Sequence, residues 1–171
     1  MVLDQKPPRT PSQLRLDLAL EAGWTLAPMT VAQVGLRRDE DDILHKIEDG
    51  FFLFAFDIAG KGARSREIRI FRESIVQAIT TGKSGDDRRE LRHVIAAILP
   101  EARFHGSGKQ MVQVVRAHDL RCAFTCGSTH LMNLIADGLI EAVTDPLRGP
   151  QGSPLVVKAS AEKFLSERRI L

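Results

Sequence analysis

From Thr30 onward, apolar positions switch between a helical and a strand period. Val31, Val34 and Leu36 follow Thr30, which predicts a short helix over 30–36 with Thr30 as its N-cap. Arg37 and Arg38 then make a turn. Ile43, Leu44 and Ile47 share one face of a predicted helix over 39–49, which Gly50 stops in the manner of a left-handed cap. Phe51 to Ile58 is strand-like, 59–66 is a basic, glycine-containing turn, and Glu67 to Phe71 returns, so a hairpin is expected. A helix over 73–79 closes the series.

The same order is legible further on. Ala117 to Phe124 and Ser128 to Asp137 read as helices around a turn at 125–127, with Gly138 as a stop. Leu139 to Val143 and Leu155 to Lys158 read as a hairpin around a tip at 144–154, and Ser160 caps a helix to about Arg168. Sliding the chain by 88 places Ile47 and Gly50 on Ile135 and Gly138; beyond the hairpin an offset of 86 places Ser74 on Ser160 and Ile79 on Leu165. A length change confined to a hairpin tip is what a duplicated unit tolerates. The expected organisation is an arm and short helix over 1–28 (Ser12 capping, Gly23 ending it), a first unit over 29–80, a connecting segment over 81–112 and a second unit over 113–171. That segment reads as a loop at 81–85, a helix from Asp86 or Asp87 to Leu99, and a glycine-containing loop at 104–110.

In this order the residues resemble the winged helix-turn-helix domains of the MerR and excisionase superfamily. The second unit carries the likeness at Phe124, Cys126, Leu131, Leu134, Ile135, Gly138, Ile140, Val156, Ser160 and Phe164. The first carries it at Leu36, Ile43, Ile47, Gly50, Ile68, Ile70, Ser74 and Ile79. The resemblance implies a mainly α fold with small β-hairpin wings (α+β), a tandem winged helix-turn-helix, and binding to double-stranded DNA. Excisionases usually carry one such unit and this chain has two. Three uses are therefore open: a transcriptional regulator whose tandem units act as a pseudo-dimer on half-sites about 10 base pairs apart, an excisionase-like architectural factor, or a protein-interaction adaptor with degenerate units.

A recognition helix puts its N-terminal side chains near base edges. In the second unit these are Ser128, Thr129, His130 and Asn133, with Gly127 leaving the entrance open and Arg116 and Arg121 placed for phosphates. The first unit has Asp39, Glu40, Asp41 and Asp42 there, which suit a helix dipole but repel phosphate. Its turn residues Arg37 and Arg38, and its wing with Lys61, Arg64, Arg66, Arg69 and Arg72, are basic and suited to phosphate or minor-groove contact. Arg88, Arg89 and Arg92 are interleaved with Asp86, Asp87 and Glu90 and read as a solvated face.

The strand Phe51-Phe-Leu-Phe-Ala-Phe56 is apolar on both faces, where a half-wet strand would alternate. Either both faces belong to a large local core, or the outer face packs on the other unit or on a second chain, a homodimer or protein-partner surface for which Phe51, Phe52 and Phe54 are the candidates.

Composition adds limits. The net charge of +2 permits a nucleic-acid partner without arguing for one, and a content of 43% hydrophobic and 27% charged residues is that of a globular chain. No apolar run nears the about 20 residues that cross a bilayer, and the first residues lack a secretory pattern, so a cytoplasmic, nucleoid-associated protein is expected. Cys122 and Cys126 recur at helical spacing with His118 and His130, but the turn at 125–127 breaks that face and both read as small core residues, with no metal. Gly106-Ser-Gly-Lys109 and Gly82-Lys-Ser-Gly85 lack the earlier glycine and preceding strand of a phosphate loop. No histidine pairs with a nucleophile, so neither an enzyme nor a cofactor is expected.

Overall fold

The computed structural model describes residues 10, 17, 24–145, 147 and 152–171. The expected helix over 12–22 and the centre of the second hairpin tip fall outside the described residues, apart from Asp17 and Leu147. Among these residues the chain is α+β, with helices around two small antiparallel sheets.

A strand β1 (Leu26–Pro28) leads directly into α1 (Met29–Leu36). Arg37 ends that helix in the left-handed region at φ 53°. Asp39 accepts the Asp42 N–H (2.8 Å) and so caps α2 (Glu40–Glu48), whose first turn is acidic, as the helix dipole favours. Gly50, at φ 77°, turns the chain toward the hairpin β2 (Ala55–Asp57) and β3 (Ile68–Phe71), and α3 (Arg72–Thr81) follows. The sheet order is β1-β3-β2, with Ala27 opposite Ile70 and Ala55 opposite Ile70 on the other side.

This series recurs. Strand β5 (Val112–Arg116) leads into α5 (Ala117–Phe124), Thr125 takes the left-handed conformation at φ 51°, and α6 (Ser128–Ala136) follows. Gly138, at φ 72°, precedes the hairpin β6 (Ala142–Val143) and β7 (Leu155–Val157), and α7 (Lys158–Arg168) closes the unit. Arg37 and Thr125 are 88 apart, as are Gly50 and Gly138, so the backbone repeats its uncommon conformations at the sequence offset. Left-handed backbone costs a β-branched residue such as Thr125 roughly 1–2 kcal/mol, so its place is held by other contacts. Its hydroxyl donates to the Leu26 carbonyl of the first unit.

Several elements depart from the sequence expectation. The leading strands β1 and β5 were not foreseen: β1 has three residues, and β5 buries Val114 and Val115 in succession rather than alternately. The expected strands over 51–58 and 139–143 shrink to Ala55–Asp57 and Ala142–Val143. The connecting segment is a single turn at Asp86–Arg88, extended backbone at Arg89 and Glu90, then α4 (Leu91–Ile98). The expected loop over 104–110 contains β4 (Arg103–His105), which pairs with β5 to give the order β4-β5-β7-β6. Ser160 does not cap its helix, which begins at Lys158. Its hydroxyl accepts the Glu141 N–H instead (2.8 Å).

Two cores result. One lies within the first unit, around Ile43, Ile47, Phe52, Ile70 and Ile75. The other joins Phe54, Phe56 and Ile58 of the first unit to Ile98 of α4 and to Phe124, Leu134 and Phe164 of the second. Phe51 to Phe56 reads as an unbroken apolar run because it passes between the two cores, Phe52 and Ala55 entering the first and Phe54 and Phe56 the shared one.

Candidate nucleic-acid interface

Helix α6 begins at Ser128 after Gly127, whose φ of −71° any residue adopts and whose missing Cβ would meet nothing within 4 Å. No atom of the chain itself crowds the helix entrance at Gly127. Leu131 and Leu134 anchor the helix in the shared core. Ser128, Thr129, Met132, Asn133 and Ala136 are exposed.

His130, taken from the sequence as a DNA-reading residue, has one ring nitrogen already engaged. Its Nε2 lies 2.7 Å from the Ile58 carbonyl of the first hairpin, a distance at which it donates. The Glu67 carboxylate lies 3.5 Å from the same nitrogen. His130 joins the two units.

Arg116 precedes α5 and Arg121 lies in its last turn. The Arg116 Nε donates to Asp119 (2.7 Å), and an Arg121 Nη2 donates to His118 Nδ1 (3.0 Å). A recess of about 230 Å³ is lined by Arg103, Arg116, His118 and Asp145. An adjoining recess of about 130 Å³ carries His118 and Arg121 on to Ser128 and Met132. Ser153 and Pro154 border both. A strip of three arginines thus runs from β4 to the start of α6; Arg103 is paired with Asp145 (3.5 Å) and Arg116 with Asp119 (2.7 Å), which leaves Arg121 as its cation without a carboxylate partner among the described residues.

In the first unit Asp39, Glu40, Asp41 and Asp42 are exposed, and Arg37 and Arg38 are exposed beside them. Arg38 is drawn to Asp42 (3.6 Å). Lys61, Arg64 and Arg66 are exposed on the first hairpin, and among the described residues none of them is paired with a carboxylate. Arg69 is turned inward. Its Nε donates to the Phe124 carbonyl (3.1 Å) and its Nη2 to that of Thr125 (3.0 Å), closing the C-terminus of α5. Burial lowers its pKa from the ordinary arginine value, and Glu67 opposes that effect. Arg72 is half-buried, with a guanidinium nitrogen 3.5 Å from the Trp24 carbonyl.

The aromatic run offers no open face. Phe52 is 0% exposed in the first core and Phe54 2% exposed in the shared one. Phe51 is half-buried, edge-on to Phe52 with the Lys46 ammonium 4.3 Å over its ring. The outer edge of β2 is also taken. Ile170 N–H donates to the Ala55 carbonyl (2.9 Å) and Arg169 bridges Phe56. Of the two alternatives for the outer face, packing on the other unit is the one found: Phe54 and Phe56 fill the junction between units, while Phe52 belongs to the core of the first unit and is no outer surface.

Cys122 and Cys126 are free thiols, both half-buried. Burial pushes the Cys126 thiol up to about 11, so it stays protonated at neutral pH. His118 Nε2 lies 3.7 Å from the Cys122 sulfur, and the turn at Thr125 carries His130 to the other unit. Among the described residues no group of His, Cys, Asp and Glu is arranged to hold a metal, and no helix is long and apolar enough to cross a membrane.

A cleft of about 510 Å³ between α3 and α4, lined by Trp24, Phe71, Val76 and Arg89 among others, shares no residue with the strip. Arg89 is paired there with Glu73 (3.0 Å).

No family model, no curated protein and no solved structure matches the chain.

Proposed function

We propose that the chain binds duplex DNA as a transcriptional regulator built from two winged helix-turn-helix units, with α6 as the recognition helix. One observation carries this reading. The exposed polar crest of α6 lies beside the strip of Arg103, Arg116 and Arg121, an arrangement suited to base edges flanked by phosphate. The corresponding helix of the first unit presents Asp39 to Asp42 and would repel a phosphate backbone. That unit contributes through other parts.

Fluorescence anisotropy with random-sequence duplex DNA over a salt series tests the reading. Wild type binds at low salt and weakens steeply as salt rises. The variant Arg116→Ala/Arg121→Ala/Asn133→Ala binds roughly tenfold or more weakly, with a salt slope shallower by about 2. Wild type that ignores DNA at low salt overturns the proposal. The exposed carboxylates of α2 then favour a second reading, an adaptor that receives a basic protein segment.

A further inference from the structure

We infer that the basic hairpin of the first unit serves the recognition helix of the second, so that the chain carries one DNA site assembled from both units. This rests on the duplex-DNA reading above and deepens it.

The hairpin is fixed alongside α6. At the start of the helix His130 donates to the Ile58 carbonyl (2.7 Å). Two turns on, a Cβ built on Gly60 would lie 3.8 Å from the Asp137 carboxylate. Arg168 of α7 donates to the Ala59 carbonyl (3.1 Å) and holds the hairpin from behind. From this stem the tip carries Lys61, Arg64 and Arg66 into solvent.

Helical geometry makes the consequence specific. At about 100° per residue, Thr129, Asn133 and Ala136 form one exposed crest. His130 and Asp137 lie on one side of it, against the hairpin. Ser128 and Met132 lie on the other, against the recess that contains His118 and Arg121. The stem passes from His130 to Asp137, so the three cations of the first unit follow at the C-terminal end of this flank, beside the Asp137 carboxylate, and Arg116 and Arg121 of the second unit lie on the other flank. A major groove about 12 Å wide admits one helix, and a phosphate strand forms each wall. In this arrangement the crest faces base edges, Lys61, Arg64 and Arg66 hold one wall, and Arg116 and Arg121 hold the other. The acidic head of α2 has no groove to enter, and the chain needs no second half-site.

Binding is measured with random-sequence duplexes of about 12 and about 24 base pairs, roughly one and two helical turns. The proteins are wild type, Lys61→Ala/Arg64→Ala/Arg66→Ala and Arg116→Ala/Arg121→Ala, and thermal melts check that each folds. One site predicts that wild type binds the shorter duplex one to one, within a few-fold of its per-site affinity on the longer. It also predicts that the hairpin variant melts like wild type, yet loses roughly tenfold or more in affinity and about 2–3 in salt slope. If the hairpin variant binds like wild type while Arg116→Ala/Arg121→Ala is impaired, the DNA reading stands and the shared site is wrong. Binding restricted to the longer duplex also removes the shared site, in favour of one site per unit. Wild type that binds neither duplex overturns the DNA reading itself.

Discussion

The duplicated backbone is stabilised differently at one pair of equivalent residues. In the second unit the Ser160 hydroxyl accepts the Glu141 N–H directly. The positions 88 and 86 earlier are Leu53 and Ser74, and there Asp86 stands between them. Its carboxylate accepts the Leu53 N–H (3.0 Å) and the Ser74 hydroxyl, at 1% exposure. Burial raises the Asp86 pKa above the ordinary carboxylate value of 3.8, and its hydrogen bonds and the nearby Arg89 oppose that rise. A carboxyl with a raised folded pKa takes up its proton earlier in the folded than in the unfolded chain. Its contribution is therefore most favourable below the unfolded value and is lost as pH rises through the folded one. Asp86→Asn keeps an acceptor for Leu53 and removes the titration, so denaturant melts show wild type gaining on this variant as pH falls from 7 toward 4. A constant difference across that range contradicts the assignment. Asp86→Ala leaves the Leu53 amide and Ser74 hydroxyl without their acceptor and costs about 3 kcal/mol at pH 7, and more as pH falls, because it removes the same titration.

At the scale of elements, hydrophobic period located the helices well, because Ile43 and Ile47, or Leu131 and Leu134, face a core at helical spacing. Gly50 and Gly138 marked their ends because only a left-handed residue makes that turn cheaply. The pattern was silent on β1, whose partner β3 is remote in the chain, and on β4 and β5, which pair locally but of whose residues only Val114 and Val115 are buried. It also could not separate Arg69 from Lys61, Arg64 and Arg66, since charge alone does not say which arginine points inward. The crest of α6 was legible from residue types, whereas His130 was assigned to DNA because the neighbouring carbonyl of Ile58 lies 72 positions away. Arg69 gives this junction a measurable weight. Arg69→Met keeps the apolar stem but removes the donors that close α5, and costs about 3 kcal/mol. For a chain of this size that corresponds to a melting temperature lower by roughly 10 °C, against little change for Arg66→Ala on the same hairpin. Equal melting of the two variants would show that the contacts to Phe124 and Thr125 contribute little.

At the scale of the whole molecule, the shared core decides whether the two units act as separate modules. Phe54, Phe56, Ile58 and Phe71 of the first unit are buried against α4 and the second unit. Each such side chain is worth about 1.5–3 kcal/mol when removed from water. Four of them contribute on the order of 6–12 kcal/mol, comparable to the entire stability of an ordinary domain, about 5–15 kcal/mol. Neither unit can give up that surface and remain folded, so the chain unfolds as one cooperative body. The composition supplies a probe for this. Trp24 is the one tryptophan and packs on the core of the first unit beside the cleft to α4, so its fluorescence reports that unit and its border with α4, while far-ultraviolet circular dichroism reports helices throughout. The two melting curves are expected to coincide, in heat and in denaturant. Curves whose midpoints separate would mean that the units unfold independently, and the rigid relation between the first hairpin and α6 would go with them. Coincident curves leave the hairpin and helix fixed to one another by the same core that stabilises both.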